Sequence, residues 1–268
     1  MQKRVFLKTI VAAAAAAAAG GFATGCTKKP AEIKVGATAG PHAEVVQAAA
    51  KAAEKDGLKV QVVEFTDYLG PDKALAEKAL DLNVYQHEPF LKNFNANQKT
   101  DLVAVAPAIL MRMGIYSNRV KNVNELKDGA TVGIPNDPTN GGRGLQLLER
   151  NGIIKLKDGV GIHATTHDIA ENPKHLVFRE VDSAYLGRSL PDVGFAVING
   201  SWAVKSKLSP EKDAFILEGA DSDFANVLVT RTEDKDKPEF KTLLASFQSP
   251  EVKQFVKDKF KGSVVAAF

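Results

Sequence analysis

From Glu32 onward the chain alternates short apolar runs with segments of helical spacing, and no other feature narrows its possible folds as far. "EIKVGAT" reads as a buried strand and "HAEVVQAAAKAAEKDG" as a helix. Pro41 stands at that helix's start, Val45, Ala49 and Ala52 recur at helical spacing, and Gly57 stops it. "LKVQVVEF" is a second strand and "PDKALAEKAL" a second helix, while "NVYQHEPF" runs from a strand or loop into a helix opened by Pro89. After the strands "LVAVAPAIL" and "MGIYS" the alternation restarts. It continues through "TVGIP", "GGRGLQLLERNG", "HLVFREV", "SAYLGRSL", "VGFAVIN", "GSWAVKSKL" and "NVLVTR", and closes on two helices in "KPEFKTLLASFQSPEVKQFVKDKF". Such alternation predicts an α/β fold with largely parallel sheets. The strands are too many for one small sheet, and the regular repeat of a (β/α) barrel is missing. A chain of 268 residues can bury a large core. Two α/β lobes joined by two crossovers are expected: lobe 1 from residues 32–112 plus 229–268, lobe 2 from residues 113–228.

The first 26 residues stand apart from this pattern. Lys3, Arg4 and Lys8 form a basic start, an alanine-dominated apolar stretch runs from Ile10 to Ala19, and "GGFATGC" follows. This is the layout of a secretory signal, because the apolar run is too short to cross a bilayer. Cys26 is the only cysteine, so an exported form has no internal disulfide. The small residues before it resemble a bacterial lipobox, with Ala23 where leucine is usual and Gly25 fitting directly before the cysteine. Two outcomes stay open: lipidation of Cys26 as the first mature residue, or cleavage nearby that yields a soluble periplasmic protein. Residues 27–31 read as a polar tether.

Taking Lys3, Arg4 and Lys8 from the 35 basic residues leaves 32, equal to the 32 acidic ones. The mature chain is therefore near neutral, and the whole-chain pI of about 8.8 says little about partners. No basic run with interleaved aromatics is present, which argues against nucleic acid. The motifs G-x-S-x-G, H-E-x-x-H, Walker A and strand-linked G-x-G-x-x-G are absent, and no carboxylates form a recognisable acid–base pair. Catalysis is not expected. His163 and His167 could chelate zinc from one helical face, but their segment holds few helix formers and no third ligand is evident. No metal or cofactor is expected. His42 reads as structural and His175 as a solvated loop residue.

Ligands of open α/β sheets bind beyond the C-terminal ends of strands, near helix starts. "FTDYLGP", "NVYQHEPF", "NDPTNGGRG", "VINGSW" and "DFANVLV" occupy such ends. Arg143 reads as a guanidinium in the first turn of a helix, where the dipole disfavours a cation by about 0.3–1 kcal/mol and an anionic partner is needed. Its planar fork suits a carboxylate, either a ligand's or that of a nearby acid such as Asp137. Asn140, Asn199 and Asn226 offer amide oxygens as acceptors for an ammonium, or as caps of helices and turns. Tyr85 and Phe90 read as core on pattern alone, and His87 as a surface residue. Trp202 reads as the anchor of its helix.

"NDPTNGGRGLQLLERNGIIKLKDGV", with "YQHEPFL" before it and "AVINGSW" after it, resembles the NlpA/MetQ family of methionine-binding lipoproteins. The likeness runs from "KVGATAGPHAEVV" to the final "FKGSVVAAF". It implies a two-lobed periplasmic-binding-protein fold, each lobe a mostly parallel sheet flanked by helices. It also implies a lipid-anchored, monomeric protein that closes on free methionine and hands it to an inner-membrane permease driven by a cytoplasmic ATPase. On this pattern Arg143 meets the ligand carboxylate with Asn140 beside it, and Asn199 and Asn226 contact the ligand. Tyr68, Tyr85, His87 and Phe90 then wall the first-lobe side of the cleft, where aromatic rings suit a thioether at about 0.3–1.5 kcal/mol per contact. Another apolar amino acid or a short peptide is the alternative ligand within the same fold.

Overall fold

The computed structural model describes residues 31–268. The expected signal segment, Cys26 and residues 27–30 of the tether lie outside the described residues. Ala31, the expected end of the tether, already belongs to the strand Ala31–Thr38.

Two five-stranded sheets organise the chain. The first runs, edge to edge, Leu58–Phe65, Ala31–Thr38, Leu82–His87, Asn226–Arg231 and Leu102–Pro107. The second runs Val177–Val181, Thr131–Pro135, Phe195–Ile198, Gly114–Tyr116 and Ala214–Leu217. In each sheet a single strand opposes the rest. Asn226–Arg231 is antiparallel to both of its neighbours, and so is Gly114–Tyr116. The other pairs are parallel. The reversed strands are the two by which the chain passes between lobes, because a segment arriving from the other sheet enters from the opposite end. Asn226, Val227 and Leu228 pair within the first sheet, although the sequence boundary assigned them to the second lobe.

Each sheet is covered on both faces, as strands with long apolar runs require. On the first sheet, Val45, Val46 and Ala49 of the helix Pro41–Ala53 join Leu243, Phe247 and Val256 of the helices Pro238–Phe247 and Pro250–Phe260 against Val35 and Leu82. Leu75, Leu91 and Phe94, from the helices Gly70–Ala76 and Glu88–Gln98, cover the other face with Val229. On the second sheet, Leu145 and Leu148 of the helix Pro138–Arg150 meet Val132, Phe195 and Val197. Leu186 and Trp202 meet Ala196 and Ile198, the alternate residues of the same strand, on the opposite face. Full burial of each such aliphatic side chain contributes about 1.5–3 kcal/mol.

Three details depart from the sequence pattern. "LVAVAPAIL" is two strands parted at Ala108, and the second, Ile109–Met111, pairs with the C-terminal Val264–Ala266. Lys155–Leu156 pairs with Ile169–Glu171, and Ala214–Leu217 is an edge strand. Among the described residues no helix is long and apolar enough to cross a membrane.

Candidate functional site

The first-lobe side of the site is built at the end of the strand Leu82–His87, which is buried along its whole length. His87 terminates that strand and caps the helix Glu88–Gln98: its Nδ1 accepts from the backbone N–H of Phe90 at 3.2 Å. Pro89, with no N–H to satisfy, fits the first helical turn. The turn brings Phe90 edge-on to Tyr85, with ring centroids 6.1 Å apart. Tyr68 lies 6.0 Å from Tyr85 and 6.1 Å from Phe90, closing an aromatic box. From the second lobe, Ser201 hydrogen-bonds to the Tyr68 hydroxyl at 2.8 Å, and Trp202 lies 5.4 Å from the Tyr68 ring. Trp202 is thus a buried core residue behind the box, in keeping with its reading as an anchor.

The second-lobe side rests on the helix Pro138–Arg150, and here the structure corrects the sequence reading. The helix begins at Pro138, with Asp137 as its cap. Arg143 therefore stands in the second turn, where no dipole penalty applies. Asp137 accepts from the backbone N–H of Asn140 at 2.9 Å and from the Asn140 side-chain nitrogen at 3.0 Å. The protein's own carboxylate fills the place at the helix mouth that an outside anion would take. Nor is Asp137 the partner of Arg143. That partner is Glu218, which the sequence reading missed. Arg143 Nε donates to Glu218 Oε1 at 3.0 Å and Nη2 to Oε2; Nη2 also donates to the carbonyl of Met111 at 3.1 Å. The Phe224 ring covers one guanidinium face at 4.5 Å. Nη1 is the one guanidinium nitrogen with no protein hydrogen bond among the described residues.

The eight residues singled out in the sequence, Tyr68, Tyr85, His87, Phe90, Asn140, Arg143, Asn199 and Asn226, all line one cavity between the lobes. His42, Gln86, Met111 and Ser201 line it too. His42 bridges two elements: the Thr38 hydroxyl lies 2.6 Å from Nδ1, and Asn226 Oδ1 lies 2.7 Å from Nε2. With a carboxamide oxygen facing it, Nε2 must carry the proton, so Nδ1 accepts from Thr38. His42 was legible only as a helix-start residue, because its partners are a strand end and a residue far along the chain.

The asparagines differ in what they have left to offer. Asn140 Oδ1 accepts from Asn199 Nδ2 at 2.7 Å and from His87 Nε2 at 3.2 Å, and its nitrogen is held by Asp137. It is saturated. Asn199 begins the helix Gly200–Lys205 yet makes no side-chain cap, and its Oδ1 is buried with no hydrogen-bond partner. Asn226 directs its oxygen at His42, and its nitrogen makes no hydrogen bond to the protein among the described residues.

Burial sets the charge states. It lowers the His42 pKa to about 4, opposed by the Asn226 hydrogen bond. It lowers that of His87 to about 3, with the Arg143 charge acting in the same direction. Both rings are neutral near pH 7. Burial also raises Asp72, behind the wall, to about 6, although Asn83 and Gln86 donate to it. His163 and His167 fall on two separate short turns, Gly161–His163 and Thr166–Asp168, both exposed. Among the described residues no group of three or more His, Cys, Asp or Glu is arranged to hold a metal ion.

Two sheet-based lobes with a small mixed polar and aromatic cavity between them define a substrate-binding protein of the periplasmic type. The NlpA lipoprotein family model matches residues 33–268, and the chain belongs to that family. It is 42% identical over 243 residues to outer membrane lipoprotein 2 of Mannheimia haemolytica, covering 90% of this chain and 88% of that one. It is 42% identical over 241 residues to the D-methionine-binding lipoprotein MetQ of Salmonella typhimurium, covering 89% of each. Among solved structures, a nutrient-binding protein from Burkholderia cenocepacia bound to methionine superposes with a TM-score of 0.86 at 46% identity, covering 88% of this chain and all of that one.

Proposed function

We propose that the protein captures free methionine in the interlobe cavity and delivers it to an ABC importer. The observation that carries this reading is the unpartnered, buried Asn199 Oδ1 in the wall of a cavity that Arg143 also lines. A buried acceptor without a donor costs about 1–3 kcal/mol, and a ligand ammonium relieves that cost. Arg143 Nη1 and Asn226 Nδ2 then donate to the ligand carboxylate, and Asn140 serves by orienting Asn199. Tyr68, Tyr85 and Phe90 surround the side chain, where a thioether gains sulfur–aromatic contacts.

His87–Asn140 and Tyr68–Ser201 join the first lobe directly to the second, so a closed form is the one that holds ligand. That form is what an inner-membrane permease with a cytoplasmic ATPase would recognise. The chain acts as a monomer, tethered to a bacterial membrane through lipid on Cys26 and facing the periplasm. Mass spectrometry of the small molecule released on denaturing the purified protein tests the reading. Recovery of methionine, and calorimetric rebinding of methionine to the stripped protein, are expected. Recovery of a different amino acid, with no rebinding of methionine, would replace it.

A further inference from the structure

We propose that Glu218 is a specificity-determining residue that restricts the cavity to ligands carrying both an ammonium and a carboxylate, turning away those whose only charge is a carboxylate. The inference rests on the methionine reading of the same cavity.

An unpaired buried guanidinium accepts almost any carboxylate, because the pairing is bidentate and strongly charge-assisted. Arg143 is not in that condition. Glu218 occupies Nε and Nη2, and both side chains are almost wholly buried, at 3% and 4% exposure. Glu218 is itself fixed, so it cannot swing aside for a ligand. Its Oε2 accepts from the backbone N–H of Met113 at 3.1 Å, and its own N–H donates to the Met113 carbonyl at 2.8 Å. Its carbonyl takes the Arg112 Nε.

The positive charge of Arg143 is thus already balanced before any ligand enters. The other ionisable groups nearby do not restore it. His42 and His87 are neutral, and Asp137, bonded to Asn140, is an acid and not a second cation. A ligand carboxylate at Nη1 meets a fixed carboxylate on the far side of the same guanidinium, and like charges brought together in a buried site are costly. The ligand's own ammonium, placed on Asn199 Oδ1, offsets that repulsion. A ligand without an ammonium has nothing to offset it and leaves the Asn199 oxygen orphaned as well.

Calorimetry on the ligand-stripped protein with three compounds of one shape tests this: methionine, its desamino analogue bearing only the carboxylate, and its descarboxy analogue bearing only the ammonium. The wild-type protein is expected to bind the amine more tightly than the acid. In Glu218→Gln, which keeps the shape of the side chain and removes its charge, Arg143 is left uncompensated. The affinity for the acid relative to methionine is then expected to rise about tenfold or more. A merely structural role for Glu218 would weaken all three compounds in proportion, and that result overturns the inference. So does a wild-type preference for the acid over the amine, a comparison that stands even where the variant does not fold. A wild-type protein that binds none of the three overturns the methionine reading together with this inference, whereas methionine binding with the acid preferred overturns this inference alone.

Discussion

Asn199 donates its side-chain nitrogen to Asn140 Oδ1 at 2.7 Å, and this one bond fixes which way both carboxamides face. Asn140 accepts it alongside His87 and spends its own nitrogen on Asp137, so nothing of Asn140 remains for a ligand. Asn199 keeps a buried oxygen with no protein donor. On the methionine reading proposed above, two residues of identical chemistry would have different tasks, one in contact and one in support.

The contact residue is expected to matter most when ligand is present. Asn199→Ala should weaken methionine binding by about 1–3 kcal/mol in calorimetry, since it removes the acceptor for a charged donor. It should cost the ligand-free protein no more than about 0.5–1.5 kcal/mol, because the bond to Asn140 and the unpartnered oxygen disappear together. A drop in ligand-free stability with unchanged affinity would assign the residue a purely structural task.

Arg143 should behave otherwise. Arg143→Ala removes a ligand contact and strands Glu218, so methionine affinity should fall by about 2–5 kcal/mol. The ligand-free protein should lose about 3–5 kcal/mol in urea unfolding, the cost of an uncompensated buried charge. Removing both charges in Arg143→Met with Glu218→Leu should recover most of the stability and none of the binding. Restored binding in the double variant would exclude the guanidinium from the site.

Stability should depend on pH through buried histidines and one buried aspartate. Free histidine titrates near 6.5, whereas His42 and His87 titrate near 4 and 3 in the folded chain. The unfolded chain therefore takes up protons first. Their contribution is complete above pH 6.5 and drains as pH falls toward those lower values. Asp72 opposes this: its folded pKa, raised from 3.8 to about 6, gives stability that is present at low pH and lost as pH rises through 6. Asp72→Asn should steepen the loss of unfolding free energy between pH 6 and 4 by up to about 1.4 kcal/mol per pH unit. Equal slopes for variant and wild type in urea titrations would show that Asp72 does not titrate as its burial dictates.

Tyr68→Phe removes the hydroxyl that reaches Ser201 across the cleft. Methionine should dissociate faster from this variant, with affinity lower by about 0.5–1.5 kcal/mol, the net worth of one hydrogen bond. Ser201→Ala should do the same, and the double variant little more than either alone. Additive losses would place the two hydroxyls in separate interactions.

Much of this was legible in the sequence. Alternating apolar runs gave both sheets, because strands buried on two faces need them and the helices between carry one apolar stripe each. Motif likeness brought all eight candidate residues to one cavity. What escaped was long-range or directional. Glu218 sits in a loop without periodicity and finds Arg143 from 75 residues away. The sequence pattern begins this helix at Gly141, three residues after its actual start at Pro138. Asp137 and Pro138 were in fact the start signal, and Gly142 is there because a Cβ would run into the carbonyl oxygen of Ile162. The orientation of each carboxamide depends on partners from other elements, and no local pattern encodes it.

The reversed strands have a mechanical consequence. Gly114–Tyr116 and Asn226–Arg231 are each paired on both flanks by neighbours in their own sheets, which restrains bending along their length. Flexing is confined to the short links beside them, and Met113 and Glu218 bond those links to each other. Two pins fastened side by side permit one swing and resist twist. Spin-label distances across the cleft should therefore change in concert, as points on a single door do.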